Sequence, residues 1–408
     1  MSGVFARLVG QHTVEAELVA AAQTARGDAI HSPTGAGSMT HAWLFTGPPG
    51  SGRSVAALCF AAALQCTSDG VPGCGQCRDC TTAMAGTHAD VRRVIPEGLS
   101  IGVGEMRAIV QIASRRPSTA RWQIVVIEDA DRLTEGAANA LLKVVEEPPP
   151  STVFLLCAPS VDPEDIAITL RSRCRHIALV TPSADAIAQV LMDRDGLDAE
   201  DARWAASVSG GHVGRARRLA TDPEARDRRK RALGLARDAA TPSRAFAAAE
   251  ELVAAAEAEA KALTEERNDS ETEELRTALG AGGTGKGTAG TMRGAAGAIK
   301  DLEKRQKSRQ TRASRDALDR ALIDLASYFR DALLVALQAS QSGGGVTPNH
   351  PDMADRVAAM AEHASPDRLL RCIEAVLQCR EALAVNVKPR FAVDAMVASV
   401  GQALRSDL

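Results

Sequence analysis

The stretch Trp43 to Ser54, WLFTGPPGSGRS, constrains the fold more than any other. A short apolar run, Ala42 to Phe45, leads into Gly47-Pro48-Pro49-Gly50-Ser51-Gly52-Arg53-Ser54, and an Ala/Leu/Phe-rich helical pattern follows. Strand, glycine loop and helix in that order let backbone N–H groups at a helix N-terminus wrap a phosphate. The spacing meets G-x-x-x-x-G-K-[ST] everywhere except at the Lys, where Arg53 stands. Lys offers a compact ammonium and Arg a broad planar fork, so the exchange is not conservative in a tight phosphate cradle. Gly47, Gly50, Gly52, Arg53 and Ser54 are the candidate nucleotide-binding residues, and the sequence leaves open whether the loop holds a nucleotide, an anion or neither.

A second departure lies further along. Gln123 to Ile127, QIVVI, is an apolar run of buried parallel-strand type that ends in Glu128-Asp129. Carboxylates at that position beside a phosphate loop hold Mg²⁺ and orient the attacking water. Nucleotide-hydrolysing machines use Asp then Glu, whereas here the order is reversed. Each side chain is then a methylene wrong for its task, and a misplacement of about 1 Å costs on the order of a hundredfold in rate.

The alternation around these two segments predicts a doubly wound parallel sheet over residues 42–180. Further strands are expected at 90–95, 153–158 and 176–180, with helices at 3–26, 101–114 and 134–147, the last stopped by Pro148-Pro149-Pro150. Short helices at 184–219 suggest a compact second domain, and an Ala/Glu/Arg-rich helix begins near 226. Gly, Thr, Ser and charge dominate 265–297, a composition that predicts disorder. Within it Gly280 to Thr288, GAGGTGKGT, nearly repeats the loop pattern with Lys286. No apolar strand precedes it and Gly287 replaces the required Ser/Thr, so it is rejected as a site. The basic run Lys300 to Arg315 reads as a solvated helix start ahead of DNA contact. Helices at 316–339, 351–363, 366–385 and 389–405 complete an α/β region followed by an all-α one. A chain of 408 residues accommodates two or three such domains.

A net charge of −3 gives no global basic excess, so any nucleic-acid contact must come from a local patch or an assembly. The loop carrying Arg115, Arg116 and Arg121 is one such patch, though a solvated turn is the simpler reading. No signal-like apolar core or membrane-length run is present, and a cytoplasmic location is expected. In that setting the nine cysteines argue for thiols or metal rather than disulfides. Cys66, Cys74, Cys77 and Cys80 form two tight C-x-x-C turns with Gly73 and Gly75 beside them. Four thiolates close a tetrahedral shell with no open position, which predicts structural zinc. His88, beyond the cluster, reads as a loop residue. Cys59, Cys157, Cys174, Cys372 and Cys379 read as small buried hydrophobes.

Taken together, Val9-Gly10-Gln11, His41-Ala42-Trp43-Leu44-Phe45, the four-cysteine insertion, Asn139-Ala140-Leu141-Leu142-Lys143 with Glu146-Glu147-Pro148-Pro149, and Leu170-Arg171-Ser172-Arg173-Cys174 resemble the AAA+ clamp-loader subunits of bacterial DNA polymerase III. Asn386-Val387-Lys388-Pro389-Arg390 resembles the start of that family's last collar helix. The resemblance implies an AAA+ domain over 1–180 with its zinc module at 66–80, and a helical lid over 181–225. A helical and low-complexity linker over 226–315, disordered at 265–300, and a helical collar for oligomerisation over 316–408 complete the layout.

The family divides into gamma or tau motor subunits, which hydrolyse ATP, and a related branch that does not. Arg53, the inverted Glu128-Asp129, and Cys157-Ala158-Pro159 in place of a Thr or Asn γ-phosphate sensor point to the second branch. Gly214, where the motor's lid Arg is expected, agrees, although Arg215 adjoins it. Ser172-Arg173-Cys174 is intact, and in this family that Arg reaches the neighbouring subunit's ATP site. The resemblance therefore implies an ATPase-inactive component of the polymerase holoenzyme whose Arg173 acts in trans. Its partners would be gamma/tau and delta subunits, the sliding clamp, and primer-template DNA through the assembly. A gamma/tau-type motor ATPase, and a zinc-containing nucleic-acid binder with a vestigial nucleotide fold, are the competing readings.

Overall fold

The computed structural model describes residues 3–27, 39–279, 291–337 and 347–405. The polar stretch Asp28 to Ser38 and the rejected motif at Gly280 to Thr288, with Lys286 and Gly287, lie outside the described residues. The chain divides into two compact units, Met1–Arg217 and Arg218–Leu408.

The first unit opens with a 3-10 turn at Val4–Arg7 and then helix α1 (His12–Arg26). The two are separate rather than one helix from residue 3, because Gly10 takes a left-handed φ of 70° between them. There follow β1 (Ala42–Thr46), α2 (Arg53–Gln65), α3 (Arg78–Ala85), β2 (Val91–Val94), α4 (Val103–Ala113), β3 (Gln123–Ile127), α5 (Glu135–Glu146), β4 (Thr152–Ala158), α6 (Ile168–Arg171) and β5 (Arg175–Ala178). All strand pairs are parallel, in the order β2-β3-β4-β1-β5. Phe45 of β1 lies beside Cys157 of β4 and Ile177 of β5, so the glycine loop opens at the carboxyl end of an inner strand. That is where open α/β sheets place ligands.

Period-two alternation sends successive residues to opposite faces, and both faces are covered, which explains strands that are apolar throughout. Trp43, Phe45 and Leu155 pack toward α1 and α2, with the Trp43 and Phe60 rings edge to face at 4.7 Å. Leu44, Val125, Phe154 and Leu156 pack toward Met106, Ile109, Leu141 and Val145 of α4 and α5. Thr134 caps α5 by accepting from the Ala137 N–H, and the prolines end it. Helices α7 (Ala184–Asp195) and α8 (Ala199–Ser207) follow, and α9 (Val213–Thr221) carries the border between the units.

The second unit holds α10 (Pro223–Asp238), α11 (Pro242–Ala278), α12 (Thr291–Ala336), α13 (Ala354–His363), α14 (Pro366–Ala384) and α15 (Pro389–Arg405). Leu322, Leu325 and Phe329 form one core with Leu369, Val376, Val393 and Val397. The stretch expected as a linker, 226–315, contributes Leu233, Ala249 and Val253 to that core. Helix also runs through 265–278 and 291–300, where composition predicted disorder. The difference has a polar cause. Arg309 donates to Asn268 and Glu271, and Gln306 donates to the Asn268 carbonyl, tying α12 to α11 with contacts that an apolar count does not register. Among the described residues, no helix is long and apolar enough to cross a membrane.

Candidate functional site

The loop after β1 keeps its backbone geometry. Gly50 has φ 90°, and a Cβ there would lie 2.6 Å from the Cβ of His212; at Gly47 a Cβ would lie 2.6 Å from the Ser51 Oγ. Only glycine fits either place. Gly52 precedes α2 without any side-chain cap, leaving the first helical N–H groups to the loop. Gln11 donates to the carbonyls of Ser51 and Val180, which ties the start of α1 and the end of β5 to this loop.

The cation is turned inward. Arg53 donates from Nη1 to the Gly47 carbonyl at 3.0 Å, so its guanidinium is anchored on its own loop. Ser54 hydrogen-bonds with the Cys157 thiol, which lies fully buried and which burial pushes up. Glu128 is also committed, because Arg93 of β2 approaches its Oε1 from Nε at 2.7 Å and Nη2 at 2.6 Å. Burial and neighbouring Asp129 raise the Asp131 carboxyl.

A cavity of about 720 Å³ adjoins the loop, within the size range of small-ligand sites. Its walls include Ser51, Arg53, Ser54, Arg93, His212 and Arg217, but neither Glu128 nor Asp129. With the first carboxylate held by Arg93 and both off the wall, these residues do not fit a Mg²⁺-nucleotide arrangement. On α9, Gly214 and Arg217 line the cavity and Arg215 does not; Arg217 pairs with Asp195 at 2.8 Å. Sequence reasoning had weighed Gly214 and Arg215 and missed Arg217, three residues along the same helix face. It also missed Arg93, although a half-buried Arg in the strand pattern VRRV signals a charged partner.

The four cysteines come together, with their sulfurs all within 4.8 Å of one another and Cys66 to Cys77 at 4.0 Å. Sulfurs around a tetrahedral ion at about 2.3 Å are separated by roughly 3.8 Å, so the cluster fits a metal ion. Backbone N–H groups of Gln76 and Cys77 donate to the Cys74 Sγ, and that of Cys80 to the Cys77 Sγ. Burial opposes ionisation of Cys77, but the N–H groups of Cys80 and Thr67 outweigh it and bring the thiol down to about 6. The N–H of Val4 donates to the Gly73 carbonyl, fastening the module to the N-terminal turn. His88 stays out of the cluster, with Nδ1 accepting from the Asp90 N–H. Burial pushes the thiols of Cys59, Cys174, Cys372 and Cys379 up to about 12, as expected of inert cysteines.

Arg173 follows α6 at the surface. Its Nη2 lies 2.7 Å from Oε1 of Glu146, with the two side chains 40% and 41% exposed. Nη1 donates to the Thr169 carbonyl and the Ser172 hydroxyl. Cys174 is half-buried against the core under α5. The structure thus brings Ser172, Arg173 and Cys174 to the edge of the sheet domain. Arg115 and Arg116 are exposed, while Arg121 donates to the Ala25 carbonyl.

Residues 23–183 match the family described as DNA polymerase III, delta subunit. The chain is 33% identical over 157 residues to the delta' subunit of DNA polymerase III from Bacillus subtilis, covering 38% of this chain and 47% of that one. Against the Escherichia coli delta' subunit the figures are 35% over 185 residues, 44% and 54%. The Mycobacterium bovis gamma/tau subunit is 29% identical over 212 residues, 51% of this chain and 34% of that one. The chain therefore spans about half the length of the delta' relatives it matches. The parallel sheet, the phosphate-type loop and these matches define a clamp-loader domain of the AAA+ class. Within that class the chain belongs, through residues 23–183, to the delta-prime family of DNA polymerase III subunits.

Proposed function

We propose that this protein is a clamp-loader subunit that helps place the sliding clamp on primed DNA, lending Arg173 to a neighbouring ATPase while hydrolysing no ATP itself. The observation that carries the reading is a contrast within one domain. Arg53 and Glu128, the residues that would run a local ATP site, are held by Gly47 and Arg93, while Arg173 stands at the surface. A guanidinium offered to another subunit's γ-phosphate offsets charge developing there and is worth several powers of ten in rate. It needs no fuel at home.

In this reading, gamma/tau and delta subunits are the neighbours, the helical second unit is the collar through which they assemble, and primer-template DNA is met by the ring. The ion held by Cys66, Cys74, Cys77 and Cys80 is zinc, whose role is to fix the loop between α2 and α3; four thiolates leave it no place for substrate. A motor-ATPase role is disfavoured because Arg53 and Glu128 would both have to leave their present partners. The test is ATP turnover by the purified chain: background hydrolysis is expected, and a motor-like rate would overturn the proposal.

A further inference from the structure

The cavity beside the glycine loop has an uncommon charge pattern. Arg7, Arg53, Arg93, Arg194 and Arg217 line it against a single carboxylate, Asp195. Three of these guanidinium groups are already fixed, on Gly47, Glu128 and Asp195 respectively. Ser51, also on the wall, is 3% exposed and its Oγ has no hydrogen-bond partner. A buried hydroxyl left unsatisfied is costly unless a ligand completes it. Uncapped N–H groups at the start of α2 point the same way, toward an anion.

We propose that this cavity binds a phosphate chain without a divalent cation. In a metal-assisted site, carboxylates hold an ion that neutralises the phosphates. Here those carboxylates are off the wall and arginines supply the neutralising charge, each able to engage phosphate oxygens with two parallel N–H bonds. Leu8, Leu58, Met84 and Val190 give the cavity an apolar side suited to a base. The ligand would act as a fixed part of the fold, since nothing on the wall is placed to activate water. The inference goes beyond the role proposed for Arg173 and stands apart from it, because Arg173 does not line the cavity.

The experiment is calorimetric titration of the full chain with ATP, ADP and sodium tripolyphosphate, each in EDTA and again in magnesium. Binding of tripolyphosphate or a nucleotide in EDTA, not strengthened by magnesium, is expected. Tighter binding of the nucleotides than of tripolyphosphate would assign the apolar side to the base, and equal binding would make the phosphate chain the whole ligand. Ser51→Ala and Arg53→Ala should each weaken binding on the order of tenfold, as loss of a bond to a charged group implies. If Arg53→Ala fails to fold, Ser51→Ala and the magnesium comparison still decide. No binding of any of the three in EDTA by the folded chain, or binding that requires magnesium, would overturn the proposal without touching the Arg173 reading.

Discussion

The guanidinium of Arg173 lies 2.7 Å from the carboxylate of Glu146, across the gap between the ends of α6 and α5. With both side chains about two-fifths exposed, such a pair contributes only about 0–1 kcal/mol. Glu146 therefore orders Arg173 without committing it. Glu146→Gln should change the chain's unfolding free energy by less than about 1 kcal/mol in a denaturant melt. A larger loss would mean that the pair is structural and Arg173 is not available to a neighbour.

Metal removal should act locally first. Chelation, or Cys77→Ser, is expected to release one zinc per chain and to expose the α2–α3 region to hydrogen exchange and proteolysis, because the ion's binding energy is folding energy for its own loops. The measurements are metal content and exchange protection over residues 66–85. Full protection after the metal is gone would contradict a structural ion.

Asp90 is a buried carboxylate that accepts from the N–H groups of Ser118, Thr119 and Ala120 and from the hydroxyls of Ser118 and Thr119. Burial alone would raise it, but the Ser118 and Thr119 donors outweigh that and hold it well below the usual carboxylate range. Its contribution is therefore complete above the unfolded value of about 4 and is lost as pH falls below it. Asp90→Ala should cost about 2–4 kcal/mol and abolish this acid-limb dependence in pH-resolved melts.

In the second unit, Arg229 donates to Asp352 and His350, and the His350 ring also meets the Asp324 carbonyl while its backbone N–H donates to Asp331. Burial, then the Arg229 charge, depress the His350 value. A histidine held neutral in the fold contributes stability that is full above its unfolded value of about 6.5 and declines as pH falls through it. His350→Gln should flatten the loss of stability between roughly pH 6.5 and 5, and an unchanged slope would remove His350 as its source.

Elements whose pattern is local were legible from the residues. QIVVI is β3 as read, the prolines end α5, and the four cysteines meet as their spacing required. What escaped depends on neighbours that only topology supplies. Arg93 meets Glu128 because β2 and β3 are adjacent, and Gln11 reaches the loop because α1 starts beside the end of β5. The helical course of 265–278 rests on Arg309 and Gln306, some 38–41 residues away along the chain. Arg53 itself was singled out at once, yet its turn onto the Gly47 carbonyl could not be read from the motif.

The most direct test is clamp- and DNA-stimulated ATPase of a reconstituted loader containing Arg173→Ala. Loss of at least about a hundredfold in turnover is predicted, with the variant chain folding and assembling as before. Turnover equal to wild type in an intact assembly would contradict the claim that this subunit completes its neighbour's site.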